Sequence, residues 1–142
     1  MNKKVIHQTK ERDLIPYVLS TISAGFPSPA DDYIENNLSL TELLVRNHLS
    51  TFLMKASGDS MLDIGINHND ILVVDRSLEV KNRDIVIAIY EGNLTVKRLL
   101  LKTDGSVLLK SENPKYANIK ISEMAELEIW GVVTSVIHQF IK

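Results

Sequence analysis

From about Phe52 onward the chain alternates apolar and polar positions in short bursts. The segments "TFLMKA", "DILVVD", "DIVIAIY", "NLTVKRLLL", "SVLLK" and "LEIWGVVTSVIHQF" are rich in β-branched residues and separated by turn signals, and they read as strands. "EGNL" (Glu91 to Leu94) and "TDGS" (Thr103 to Ser106) have the composition of hairpin turns. "SMLDIGI" has room for one helical turn. A 3.6-residue pattern shows in one place. Ser39 and Glu42 form a capping box, Leu38 and Leu43 can staple around it, and Leu40, Leu43 and Leu44 give an apolar face. That predicts a helix starting at Ser39 and ending near Asn47. Residues 1–37 are expected to be weakly structured, because "AGFPSPADDY" holds two prolines, a glycine and two aspartates. The pattern therefore predicts a mostly β protein: a compact, curled β-sheet domain with one short helix and a flexible N-terminal arm.

Composition narrows the chemistry. The chain has 142 residues, of which 44% are apolar and 24% charged, enough for one domain with a core. It has no cysteine, which excludes a disulfide framework and a thiolate nucleophile and fits a cytoplasmic protein. The longest clean apolar run, "IVIAIY", is too short to span a bilayer, and charges interrupt any signal-peptide core in "MNKKVIHQTKERDL". The net charge of −2 gives no footprint for nucleic acid over the whole chain. It is unevenly placed: Lys3, Lys4, Lys10 and Arg12 against Glu11 and Asp13 make residues 1–24 net +2, which leaves −4 for 25–142. A basic start of this kind reads as a solvated tail or as a contact arm.

The candidate chemistry centres on "SGDSM", Ser57 to Met61, where Gly58 sets a turn just before Ser60. A serine nucleophile needs a group to take its proton. The four histidines, His7, His48, His68 and His138, stand in no triad motif, "SGDSM" is not the G-x-S-x-G elbow, and the same histidines lack metal-ligand spacing. Lysine is the other candidate. In "NLTVKRLLL" alternation puts Lys97 on one face with Thr95, Leu99 and Leu101. Such a lysine either snorkels to water or is buried and pushed toward its neutral form. An ordinary lysine, with a pKa of about 10.4, is almost wholly charged near pH 7.4, so only the buried fate suits a base. Backbone N–H groups of Asp59, Ser60 and Met61 are the candidates for receiving an oxyanion. Periodicity alone does not bring Ser60 and Lys97 together in space.

"SGDSMLDIGI", "DILVVDRSLEVKNRDIVIA", "GNLTVKRLLL" and "WGVVTSVIH" resemble, in order, the signature segments of the LexA/UmuD family of self-cleaving serine peptidases of the bacterial SOS response. The likeness runs from about Ala24 to about Phe140. It implies a β-rich domain of the LexA/signal-peptidase type, with the serine of G-D-S-M (Ser60) as nucleophile and the lysine of V-K-R-L (Lys97) as general base. It also implies a scissile bond in the chain's own N-terminal segment, for which "SAGF" offers Ala24–Gly25. The expected organisation is then an arm over 1–24, a linker over 25–38 and the peptidase-like domain over 39–142. LexA-type repressors carry a helix-turn-helix domain ahead of the cleavage site, and 24 residues are too few for one. The chain thus resembles the UmuD side of the family, whose members serve an error-prone polymerase. The resemblance implies a homodimer, a RecA–single-stranded DNA filament as coactivator and a Y-family DNA polymerase subunit, UmuC, as partner, with no cofactor and no sequence-specific DNA binding. Three other readings stand beside it: a non-catalytic module that docks on a polymerase, a signal-peptidase-like processing enzyme, and a LexA-like phage or plasmid repressor fragment.

Overall fold

The computed structural model of the chain describes residues 13–27, 29 and 35–141. They fall into two units that divide between Arg46 and Asn47.

In the first unit β1 (Leu14–Val18) pairs antiparallel with β2 (Glu35–Ser39), from Leu14 opposite Ser39 to Val18 opposite Glu35. This ladder corrects the expectation of little regular structure before residue 38. Neither strand advertises itself: Pro16 interrupts one and "ENNLS" is polar, and a two-stranded ribbon needs no alternating apolar face. The basic residues and His7 of the first twelve positions, and residues 28 and 30–34 of the expected linker, lie outside the described residues. Helix α1 (Leu40–Leu44) begins where the capping box puts it. Ser39 adopts extended geometry, and its side chain accepts a hydrogen bond from the Glu42 N–H at 3.3 Å. The helix stops earlier than expected, because Val45 returns to extended backbone. A five-residue helix with no buried side chain has little to prolong it.

The second unit is one open, antiparallel, seven-stranded sheet. Its strands are β3 (Thr51–Lys55), β4 (Ile71–Asp75), β5 (Ile85–Tyr90), β6 (Asn93–Leu101), β7 (Val107–Lys110), β8 (Ile119–Ile121) and β9 (Leu127–Ile137). The spatial order is β3-β4-β9-β5-β6-β7-β8, so the last strand inserts between β4 and β5. All the strands expected from Thr51 onward are present. β8 has no counterpart in the sequence pattern, because it is three residues long and split by Lys120. Glu91 and Gly92 both have positive φ, the geometry of a two-residue hairpin turn that matches strand twist.

The apolar side chains form two clusters. Ala56, Met61, Ile66, Leu72, Val74 and Ile87 make one; Val86, Ala88, Leu99 and Leu109 make the other. β5 contributes to both, which is why "IVIAIY" reads as an unbroken apolar run. β9 changes register against β4 and against β5, and Gly131 lies in this irregular stretch. A Cβ there would meet a Val74 methyl at 2.7 Å, so only glycine lets the two strands approach.

Candidate active site

The loop that carries Ser60 leaves β3 and passes through Gly58, whose φ of 86° is the left-handed conformation that favours glycine. No atom lies within 4 Å of a Cβ added there, so the backbone angle alone makes the demand. The Gly58 N–H donates to His68 Nδ1 at 2.9 Å, and Met61, 1% exposed, anchors the far side of the loop in the first core cluster. Beyond it a 3₁₀ turn, Leu62–Ile64, closes at Gly65. The single helical turn expected in "SMLDIGI" is this one.

Lys97 lies in β6 opposite Val86, one alternation from Leu99, and is 7% exposed. Its Nζ lies 2.9 Å from Ser60 Oγ and 3.1 Å from the Val96 carbonyl oxygen, in hydrogen-bonding geometry with both. Of the two fates open to a lysine on an apolar face, this is the buried one. Burial lowers its pKa from the usual lysine value. Among the described residues no carboxylate pairs with it to offset that. The Val96 carbonyl can hold one amine hydrogen, which leaves a neutral amine its lone pair for the Ser60 hydroxyl.

The loop's carbonyls are tied down. Ser60 O accepts from the Glu112 N–H at 2.9 Å, and Asp59 O accepts from Asn113 Nδ2 at 2.8 Å and from the Leu62 N–H at 3.2 Å. Among the described residues, none accepts from the N–H groups of Asp59, Ser60 or Met61. A cavity of about 290 Å³ adjoins Ser60, lined also by Met54, Ala56, Leu72, Leu94 and Val96 and by the polar Ser57 and Thr95. It is mostly apolar and large enough for a small side chain and the backbone on either side of it.

A larger cavity, about 380 Å³, is lined by Lys55, His68, Asp70 and His138 but by neither Ser60 nor Lys97. Two of the histidines have partners other than Ser60: His68 accepts from the Gly58 N–H of the loop, and His138 Nδ1 contacts the buried carboxylate of Asp70. A His–Asp pair does exist in the protein, but its histidine's partner is not Ser60. Among the described residues no cluster of histidines and carboxylates could hold a metal ion, and no helix is long and apolar enough to cross a membrane.

Ala24 and Gly25 sit in an exposed bend of the first unit, and a Cβ added at Gly25 would meet no atom within 4 Å. The contacts of Glu112, Asn113 and His68 with the Ser60 loop went unseen in the sequence. No motif marks them, and each joins segments that are distant along the chain.

The match to a family model, described as Peptidase S24-like, spans residues 16–134 and includes both Ser60 and Lys97. The chain belongs to that peptidase family. Within it, the chain is 44% identical over 121 residues to Protein MucA of Escherichia coli, covering 84% of this chain and 82% of MucA. It is 42% identical to Protein SamA of Salmonella typhimurium, over 87% of this chain and 85% of SamA. To the LexA repressor of Leptospira interrogans it is 30% identical, over 72% of this chain and half of that repressor. The likeness to the LexA/UmuD family seen in the sequence motifs is thus one of membership, and its UmuD side is where the chain falls.

Proposed function

We propose that this protein cuts its own chain between Ala24 and Gly25 with a Ser60–Lys97 dyad, and that the trimmed product is an accessory factor in SOS mutagenesis. The observation that carries the reading is the 2.9 Å contact between Ser60 Oγ and a buried lysine that has no carboxylate partner among the described residues. A lysine so placed is easier to deprotonate than one in water, and a neutral amine can act as the base.

Neutral Lys97 takes the hydroxyl proton as Ser60 Oγ attacks the Ala24 carbonyl carbon. The resulting oxyanion is received by the backbone N–H groups of the loop, for which Asp59, Ser60 and Met61 are the candidates. The C–N bond then breaks, Lys97 returns its proton to the leaving Gly25 amine, and residues 1–24 remain on Ser60 as an ester. Water, giving up a proton to Lys97, attacks the ester carbonyl; the bond to Ser60 Oγ breaks, Lys97 passes the proton to that oxygen, and the arm leaves with a free carboxyl group at Ala24. Ala24 and Gly25 suit the site because neither adds bulk around the attacked carbonyl. Each chain holds one such bond, so the reaction is a switch rather than a turnover cycle.

In this reading a RecA–single-stranded DNA filament favours the arrangement in which the bond meets the dyad. The fragment 25–142 then acts as a homodimer with a Y-family polymerase subunit of the UmuC kind. The similarity to MucA and SamA along most of their length supports placing the protein there.

The test is intact-mass spectrometry of the purified chain after incubation at pH 7.5 and at pH 10. Masses for 1–24 and 25–142, accumulating faster at the higher pH and absent in Ser60→Ala and Lys97→Ala, are expected. The sign follows from the base: raising pH through a lowered lysine pKa increases the neutral fraction. A rate that stays flat from pH 7 to pH 10 would remove lysine as the base. Wild-type cleavage by a chain with a bulky residue at Gly25 would show the bond to be elsewhere.

A further inference from the structure

We infer that the Glu112–Asn113 segment is the positioning element of this site. It aims the oxyanion donors and fixes the nucleophile loop to the strand that carries the base, with the Asn113 side-chain amide as the contact most open to test. The inference rests on the Ser60–Lys97 reading and adds to it the residues that hold the dyad in register.

Two consecutive carbonyls of the loop face this segment. The Glu112 N–H donates to Ser60 O at 2.9 Å, and Asn113 Nδ2 donates to Asp59 O at 2.8 Å from 54 positions along the chain. The Asp63 N–H donates back to the Glu112 carbonyl at 2.8 Å, so Glu112 is gripped through both of its backbone groups. No described peptide bond is cis, and in a trans peptide the N–H points opposite to the C=O. The unit whose carbonyl belongs to Asp59 carries the N–H of Ser60, and the next unit carries that of Met61. Holding those carbonyls on the 112–113 side therefore turns both N–H groups the other way. A carbonyl that accepts a hydrogen bond also polarises its amide and strengthens the N–H as a donor.

The same segment is fastened to β6. Arg98, the residue after Lys97, donates from Nε to Glu112 Oε1 at 2.7 Å and from a terminal nitrogen to the Arg83 carbonyl at 2.7 Å. A closed circuit results: Ser60 to Glu112 through backbone, Glu112 to Arg98 through an ion pair, Arg98 to Lys97 through the chain, and Lys97 back to Ser60. Each link is short, so movement at one contact is felt at the Ser60–Lys97 separation. Asn113 completes it with a defined amide orientation, because its Oδ1 accepts from the Lys115 N–H at 3.1 Å and leaves Nδ2 for Asp59.

The experiment uses the full chain with Asn113→Ala and Asn113→Asp, measuring self-cleavage against pH from 7 to 11 and the amide NMR signals of Ser60 and Met61. Asn113→Asp keeps an acceptor for Lys115 and lacks the donor to Asp59. Both variants should lose about 10- to 100-fold in the high-pH plateau, less than removal of an oxyanion donor at its most severe. In Asn113→Ala the midpoint of the pH profile should stay at the wild-type value, because Lys97 keeps its surroundings, and the two amide signals should shift or broaden. A wild-type plateau in either variant would overturn the inference. So would a loss of rate explained wholly by a displaced midpoint, which would make Asn113 a modulator of Lys97 instead. If the wild-type chain shows no cleavage that depends on Ser60 and Lys97, the proposed function fails. The amide signals then decide the positioning role alone: unchanged signals sink it, and perturbed ones support it.

Discussion

Among the buried titratable groups of the second unit, Lys97 beside Ser60 and Asp70 beside His138 are built on opposite principles. Burial works to raise the Asp70 carboxyl, but the Asn67 N–H at 2.7 Å and the His138 contact outweigh it and hold the group below the ordinary carboxylate range. Lys97 has the burial without the compensation. Its neighbours are a hydroxyl and a carbonyl, and desolvation is left to push its pKa down. The first arrangement stabilises a charge and so stabilises the fold. The second leaves a charge poorly supported, which works against stability and favours the neutral amine that the proposed dyad requires. Two buried groups thus differ in how far their surroundings offset desolvation: Asp70 faces hydrogen-bond donors and the His138 ring, whereas Lys97 faces only a neutral hydroxyl and a carbonyl.

The largest separation between them should appear in activity. Ser60→Ala or Lys97→Ala should reduce self-cleavage by at least about a thousandfold. His138→Ala, assayed well below its unfolding temperature, should stay within several-fold of wild type. A comparable loss in His138→Ala would mean that the two sites are not separate. Stability should show the reverse order. Asp70→Ala strips a satisfied carboxylate out of the fold and leaves the Asn67 N–H without an acceptor, which should cost about 2–4 kcal/mol in denaturant unfolding.

Lys97→Met should do the opposite and raise the thermal midpoint at pH 7, by roughly 2–4 °C for each kcal/mol of relieved desolvation. The sign is set by the lowered pKa. A lysine easier to deprotonate in the folded chain than in the unfolded one penalises folding at neutral pH, and the penalty fades as pH rises through the folded and then the unfolded value. The advantage of Lys97→Met should therefore shrink toward pH 10.5 and above; an advantage that grew with pH would contradict the assignment.

The smallest effect is on the acid side. Asp70 is held low as described, and Glu112 is held low first by its hydrogen bond from Arg98, against some desolvation. Carboxyls lowered by folding contribute stability above their unfolded values, and that contribution is lost as pH falls through the folded values. Unfolding followed by circular dichroism should show stability declining below about pH 4, with a shallower decline in Asp70→Asn. An equal slope in that variant would mean that Asp70 does not contribute to the acid limb.

Much of this is legible in the sequence. Apolar patterning located six of the seven strands between Thr51 and Ile137, all but β8, and the capping box at Ser39 located the helix start, because both are local and depend on side chains a few positions apart. The same alternation singled out Lys97 as a charge on an apolar face, and Gly58 marked the turn before Ser60. Family motifs then gave the two residues their expected roles. The β1–β2 ladder was hidden, since it has no buried face to impress a pattern on its sequence.

What the sequence determined by itself is the inventory: strands of defined length, a serine on a glycine turn, a lysine where a leucine would be ordinary, and the absence of cysteine. What only the tertiary structure decided is their meeting. β9, last in sequence, lies between β4 and β5 and sets how the β3–β4 side, with the Ser60 loop, stands to the β5–β6 side, with Lys97. Glu112 and Asn113 then join the loop to β6 across long stretches of chain. No local propensity encodes such contacts. They exist because a sheet must pair its strands and bury both faces of β5 at once, and that requirement belongs to the whole chain rather than to any segment of it.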